Sequence, residues 1–188
     1  MTRYHLFVLA AVLVAGLVLF GRHRWRTRER RGLERDLDSR LAEAIPAGTA
    51  SHLDRSPTVR RLAVVETTGD EDDVSRTVYV PTVRVDLGMV DVPRTEFAFG
   101  YVADVLEAIH PVFEAREDRV RRYDVEFTFG PSGLIVDGEC RRVSIPPELA
   151  ERLLVDENYR AFDLWRTIER DDDEGRAVFW GDCTETPL

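Results

Sequence analysis

Few residues in this chain could do chemistry, and they are scattered. Glu107 and His110 form an E-x-x-H pair, the spacing with which di-iron bundles project metal ligands inward from a helix. Cys140 and Cys183 are the two cysteines; they have no CxxC or Cys/His spacing, and two thiols alone are too few ligands for a metal. Residues 69–73, GDEDD, gather four acids, but without the spaced oxygen ligands and distal glutamate of a calcium loop they read as a solvated turn. G-x-S-x-G, a Walker loop, the dinucleotide glycine fingerprint, H-E-x-x-H and zinc spacings are all missing. No residue is therefore assigned as catalytic, cofactor-binding or metal-ligating, and no cofactor is expected. An enzyme would need a site assembled from scattered polar residues, with Glu107, His110 and Cys140 as candidates that must converge in a concave pocket.

The elements that would position these residues follow from periodicity. Thr95 and Glu96 open a helix running to about Glu117, with Phe99, Val102, Val105, Leu106, Ile109 and Phe113 on one face. Asp104, Glu107, His110 and Glu114 fall on the opposite, solvated side, and Pro111 is expected to kink the helix or end its first half. Cys140 falls in a strand expected from Leu134 to Ile145, broken by a hairpin at Asp137-Gly138. That strand follows the clearest alternation in the chain, in which Tyr123, Val125, Phe127 and Phe129 interleave with Asp124, Glu126 and Thr128, the signature of a half-buried strand.

Upstream, residues 58–67 and 74–92 are β-prone. Pro81 cannot donate to a ladder, so the second stretch is expected to be an edge strand or to carry a bulge. Downstream, Pro146-Pro147 starts a short helix to Leu154. A second helix, Asn158 to Arg170, presents Tyr159, Phe162, Leu164, Trp165 and Ile168, expected in the core because aromatics dominate burial. Asp171 to Glu174 reads as another acidic turn and Ala177 to Trp180 as a last strand. The order favours an α+β domain with a mainly antiparallel sheet, a meander with helices packed on one face.

The N-terminal segment predicts location. Leu6 to Phe20 is an unbroken apolar run; a helix from Tyr4 to Phe20 would cover roughly 25 Å, the short end of a membrane span. Arg22, Arg24, Arg26, Arg28, Arg30 and Arg31 follow, with no small-x-small cleavage step, so an uncleaved signal anchor is expected. Against Arg3 on the other side, these arginines place the N-terminus outside and the domain in the cytoplasm, where the cysteines would be reduced. Leu33, Leu37, Leu41 and Ile45 continue as a helical stripe, with Asp36 and Arg40 paired in the favourable order. The organisation is an anchor over 1–21 (span about 4–20), an Arg-rich juxtamembrane helical stalk over 22–48 and one acidic domain over 49–188.

All 26 basic residues are arginines, against 35 acids. Setting aside the seven arginines and one glutamate up to Arg31 leaves 19 arginines against 34 acids, a net charge of −15. This lysine-free, acid-rich composition resembles that of haloarchaeal proteins, whose dense carboxylates hold water where salt screens their repulsion. The charge excludes direct nucleic-acid binding by the domain, which would need a basic face. What remains is a membrane-anchored protein-interaction or scaffolding module with a protein partner. Self-association is a further expectation, from the small residues Ala10, Ala11, Ala15 and Gly16 in the span.

Overall fold

A 21-residue helix in mid-chain decides the topology. The computed structural model describes residues 28–48, 52–66, 77–130, 139–173 and 177–183. The chain divides into two units, Met1–Asp36 and Leu37–Leu188. Helix α1 covers residues 28–44. In the first unit an ion pair between exposed Arg30 and half-buried Glu34 braces it at 3.5 Å. The span expected at 4–20 lies outside the described residues; among those described, no helix is long and apolar enough to cross a membrane.

In the second unit Leu37, Leu41 and Ile45 are buried, so this part of the expected stalk stripe is core. Asp38 Oδ1 also accepts a 2.7 Å hydrogen bond from the Val59 amide. After α1, Gly48 adopts φ +78 and donates to the Leu53 carbonyl, a turn that glycine enters without a Cβ penalty.

The remaining elements are β1 (Thr58–Glu66), β2 (Thr77–Asp86), α2 (Thr95–Ala115), β3 (Arg119–Val120), β4 (Tyr123–Phe129), β5 (Glu139–Ile145), α3 (Pro147–Val155), α4 (Ala161–Asp173) and β6 (Val178–Asp182). The sheet runs β1-β2-β4-β5-β6, with β3 beside β2. It is mixed: β1/β2, β4/β5 and β5/β6 are antiparallel, whereas β2/β4 is parallel. The expected meander is corrected at that step. Helix α2 rises about 32 Å, nearly the roughly 33 Å length of ten-residue β2, so it returns the chain to the start of β2 and the next strand runs alongside it. The hairpin expected at Asp137-Gly138 lies outside the described residues.

Pro81 does not sit on an edge strand, because β2 has neighbours on both sides. On one side Pro81 faces Leu62. On the other, β3 pairs at Val78 and Tyr79 and β4 only from Thr82 onward, so Pro81 occupies the gap where no ladder requires its missing N–H. The bulge lies on β1, where Val59 faces Val83 but Arg61 faces Thr82, leaving Arg60 as the extra residue. A second irregularity in β6 lets Phe179 stack on Phe99 (5.7 Å) while its neighbour Trp180 stacks on Phe127 (5.7 Å).

The expected apolar stripe of α2 is fully buried. Its rings meet the sheet through Phe113, 5.9 Å from Tyr79 and 6.1 Å from Tyr123. Pro111 neither ends nor halves the helix; it is exposed inside it, and the helix continues to Ala115. The end is a Schellman arrangement, with Asp118 N–H on the Phe113 carbonyl, Glu117 N–H on that of Glu114, and Glu117 left-handed at φ 56. In α4, Leu164 and Ile168 are buried as expected, as is Tyr159 just before it, but Phe162 is 52% exposed and pairs edge-on with Trp165. The acidic turn expected at Asp171 begins inside α4, with Asp171 buried.

Candidate functional site

The two faces of the sheet differ in kind. One carries Val83, Val85, Tyr123, Val125, Phe127, Val143 and Ile145, all buried. On the other, the strand register sets nine residues in three rows across β2, β4 and β5: Thr82–Asp124–Ser144, Arg84–Glu126–Arg142 and Asp86–Thr128–Cys140. The alternation of β4 predicts Asp124 and Glu126 on a solvated face, and here the structure differs. Each is only 4% exposed, because β4 is central and long polar side chains from its neighbours close over it.

A carboxylate removed from water needs compensating partners. Asp124 accepts from Ser144 Oγ at 2.7 Å and from Arg122 Nε at 3.1 Å. Glu126 Oε2 takes both Arg60, at 2.5 Å, and Arg84, at 3.3 Å. Arg60 is the bulged residue of β1, re-aimed across β2 to reach β4. Thr128 donates to Asp86 in the third row. Arg142 donates to the Asp182 carbonyl at 3.4 Å.

Cys140 and Cys183 form a disulfide, with Cα atoms 5.6 Å apart. This corrects the expectation of two reduced thiols: β6 pairs with β5 and delivers Cys183 beside Cys140, a proximity that a sequence separation of 43 hides. A Glu126 carboxylate oxygen and the two sulfurs all lie within 4.8 Å of one another. Neither cysteine is fully buried.

Beside this cluster a groove of about 660 Å³ opens at the carboxyl ends of the parallel strands β2 and β4. Asp54, Arg55, Arg60, Arg84, Asp86 and Thr128 supply its polar wall, and Cys140 lines it too. Its floor depends on Gly88, whose N–H donates to the His52 carbonyl at 2.8 Å; a Cβ there would stand 3.2 Å from Asp54 Oδ2. Gly130, at φ +98, donates to the Met89 carbonyl and also lines the groove. Asp86 and Glu126 are already engaged by Thr128 and by two guanidinium groups, and Arg55 forms no ion pair among the described residues. Arg55 thus lines the groove without an ion-pair partner among the described residues, whereas Arg60 is engaged with Glu126.

The sequence candidates do not converge. Glu107 is exposed on α2. His110 is buried rather than on a solvated face; its Nδ1 lies 2.7 Å from Tyr123 Oη and its Nε2 3.6 Å from Glu114. Tyr123 holds the first position of β4 on the apolar face, while Cys140 faces Thr128 near the strand's other end on the polar face. Burial, with the Glu114 carboxylate nearby, raises the Tyr123 phenol well above its ordinary range. Burial likewise raises Tyr101 and Asp104, Asp104 adding to the rise at Tyr101. Neither Glu126 nor the arginines stood out in the sequence. A row-by-row alignment of the polar positions on β2, β4 and β5 would have found them, but it requires the register.

Searches against protein-family models, curated proteins and solved structures gave no match.

Proposed function

We propose that this chain is a single-pass membrane protein whose α+β domain is a scaffolding module that holds a carboxylate-rich segment of a partner protein. The groove carries this reading. Arg55, Arg60 and Arg84 line it together with Asp54 and Asp86, in a chain whose formal net charge is −9. A guanidinium fork matches a carboxylate bidentately, and charge-assisted bonds of this kind are the strong ones. The apolar N-terminal run followed by six arginines supports an anchor with the N-terminus outside and the domain in the cytoplasm. The lysine-free acidic composition supports a salt-rich interior, in which a partner would also be acidic. Self-association through the span is compatible with one groove per copy.

The test is a titration of the purified chain with an acidic peptide of alternating Asp and Glu, against its Asn/Gln counterpart at equal ionic strength. Arg55→Ala is the informative variant, because Arg55 is not part of the Glu126 cluster. It is expected to weaken the acidic peptide about tenfold, the worth of one charge-assisted bond of roughly 1.5 kcal/mol. Equal binding of both peptides, or no effect of Arg55→Ala, would remove the groove from the proposal.

A further inference from the structure

We infer that the reduced chain holds a thiophilic divalent cation of the zinc class between Cys140 Sγ, Cys183 Sγ and a Glu126 carboxylate oxygen, so that disulfide and metal are alternative states of one site. The three donors come from neighbouring strands: Glu126 from β4, Cys140 from β5, and Cys183 directly after β6. They already lie within 4.8 Å of one another. A tetrahedral zinc ion with Zn–S of about 2.3 Å and Zn–O of about 2.1 Å needs its sulfurs about 3.8 Å apart and each sulfur about 3.6 Å from the oxygen. Breaking the sulfur–sulfur bond frees both cysteine side chains to rotate toward those separations. Two thiolates and a carboxylate make a set that favours zinc over hard cations such as magnesium or calcium.

The surroundings fit a ligand set. Arg60 and Arg84 both hold Glu126 through Oε2, so neither guanidinium claims Oε1. They fix the carboxylate's orientation as outer partners of metal ligands do. Cys140 lines the groove, which leaves a side open for a water as fourth ligand.

The exchange balances with a dithiol as reductant. The dithiol gives two electrons and two protons to the Cys140–Cys183 bond and becomes a disulfide itself. Zinc then displaces the two thiol protons to solvent and bonds both sulfurs. An oxidant of the disulfide class reverses the sequence, re-forming the bridge and expelling the ion. A cytoplasmic position would supply the dithiol reductant.

The test uses the full chain in detergent, reduced with a phosphine that is then removed without air, and titrated with zinc sulfate against a chromophoric chelator. The reduced chain is expected to take up one zinc per chain and the oxidised chain none, with cobalt in place of zinc giving thiolate-to-metal charge-transfer bands. Glu126→Gln is expected to weaken zinc by at least about 10- to 100-fold, the loss that follows removal of even an outer partner. If reduction unfolds the domain, zinc alone is expected to restore its circular dichroism, since metal binding then drives folding. No zinc uptake, no refolding by zinc, one zinc shared by two chains, or a Glu126→Gln affinity equal to that of the parent would each overturn the inference.

Discussion

Replacing both cysteines, Cys140→Ser with Cys183→Ser, is expected to destabilise the domain by about 4 kcal/mol. The bridge closes a loop with a sequence separation of 43. In the chain-entropy treatment a loop of that size removes about 13 cal/mol/K from the unfolded ensemble, or about 4 kcal/mol at 25 °C. Its position in the fold keeps the effect in this range. The bridge ties the end of β6, a five-residue edge strand, to β5, so in its absence β6 is held by the pairing to β5 and by Phe179 and Trp180. The assay is urea denaturation of parent and variant with chelator present, followed by circular dichroism and tryptophan fluorescence; coincident transitions justify a two-state treatment. For a domain of this size the same loss lowers Tm by roughly 8–16 °C. A loss below about 1 kcal/mol, with the parent shown by mass to be oxidised, would refute the reasoning, because it would mean that the unfolded chain is already restricted across this interval.

Two further changes probe the helix α2 region. Tyr123→Phe is expected to flatten the alkaline decline in stability: the folded state keeps the phenol protonated at a pH where the unfolded chain has released it. Stability attributable to Tyr123 is therefore intact below pH about 10 and falls by up to about 1.4 kcal/mol per pH unit above it. Urea midpoints from pH 8 to 11.5 check this, and parallel curves for parent and variant would reject it. At neutral pH the same variant is expected to cost about 1 kcal/mol through the lost contact with His110 Nδ1. Glu117→Gly, at the left-handed residue that ends α2, is expected to raise stability by about 1 kcal/mol, since a side chain at φ 56 is strained where glycine is not. A lower melting temperature would show that Glu117 makes a compensating contact.

Local patterns were readable because they answer to one segment at a time. Thr95 begins α2 where the sequence places it, and the alternation from Tyr123 to Phe129 marks β4 to the residue. His110 shows where this stops. Its helical phase sets it with Glu107 and Glu114, but the neighbouring strand begins with a tyrosine that reaches it, so the position is buried by an element its own periodicity cannot describe. The candidate site lies wholly beyond that limit. Glu126 reads as a solvent-facing residue of an amphipathic strand, and only the parallel pairing forced by α2 brings Arg84 beside it. The bulge at Arg60 then adds a second guanidinium, and β6 carries Cys183 back to Cys140 on the adjoining strand. Each step is a register between segments distant in sequence, fixed by the whole set of strand pairings. A carboxylate, two guanidinium groups and two sulfurs thus meet although no two of them stand at a spacing that a motif search would notice. That is the expected outcome for a site built across a sheet face, where the informative unit is the row and not the strand.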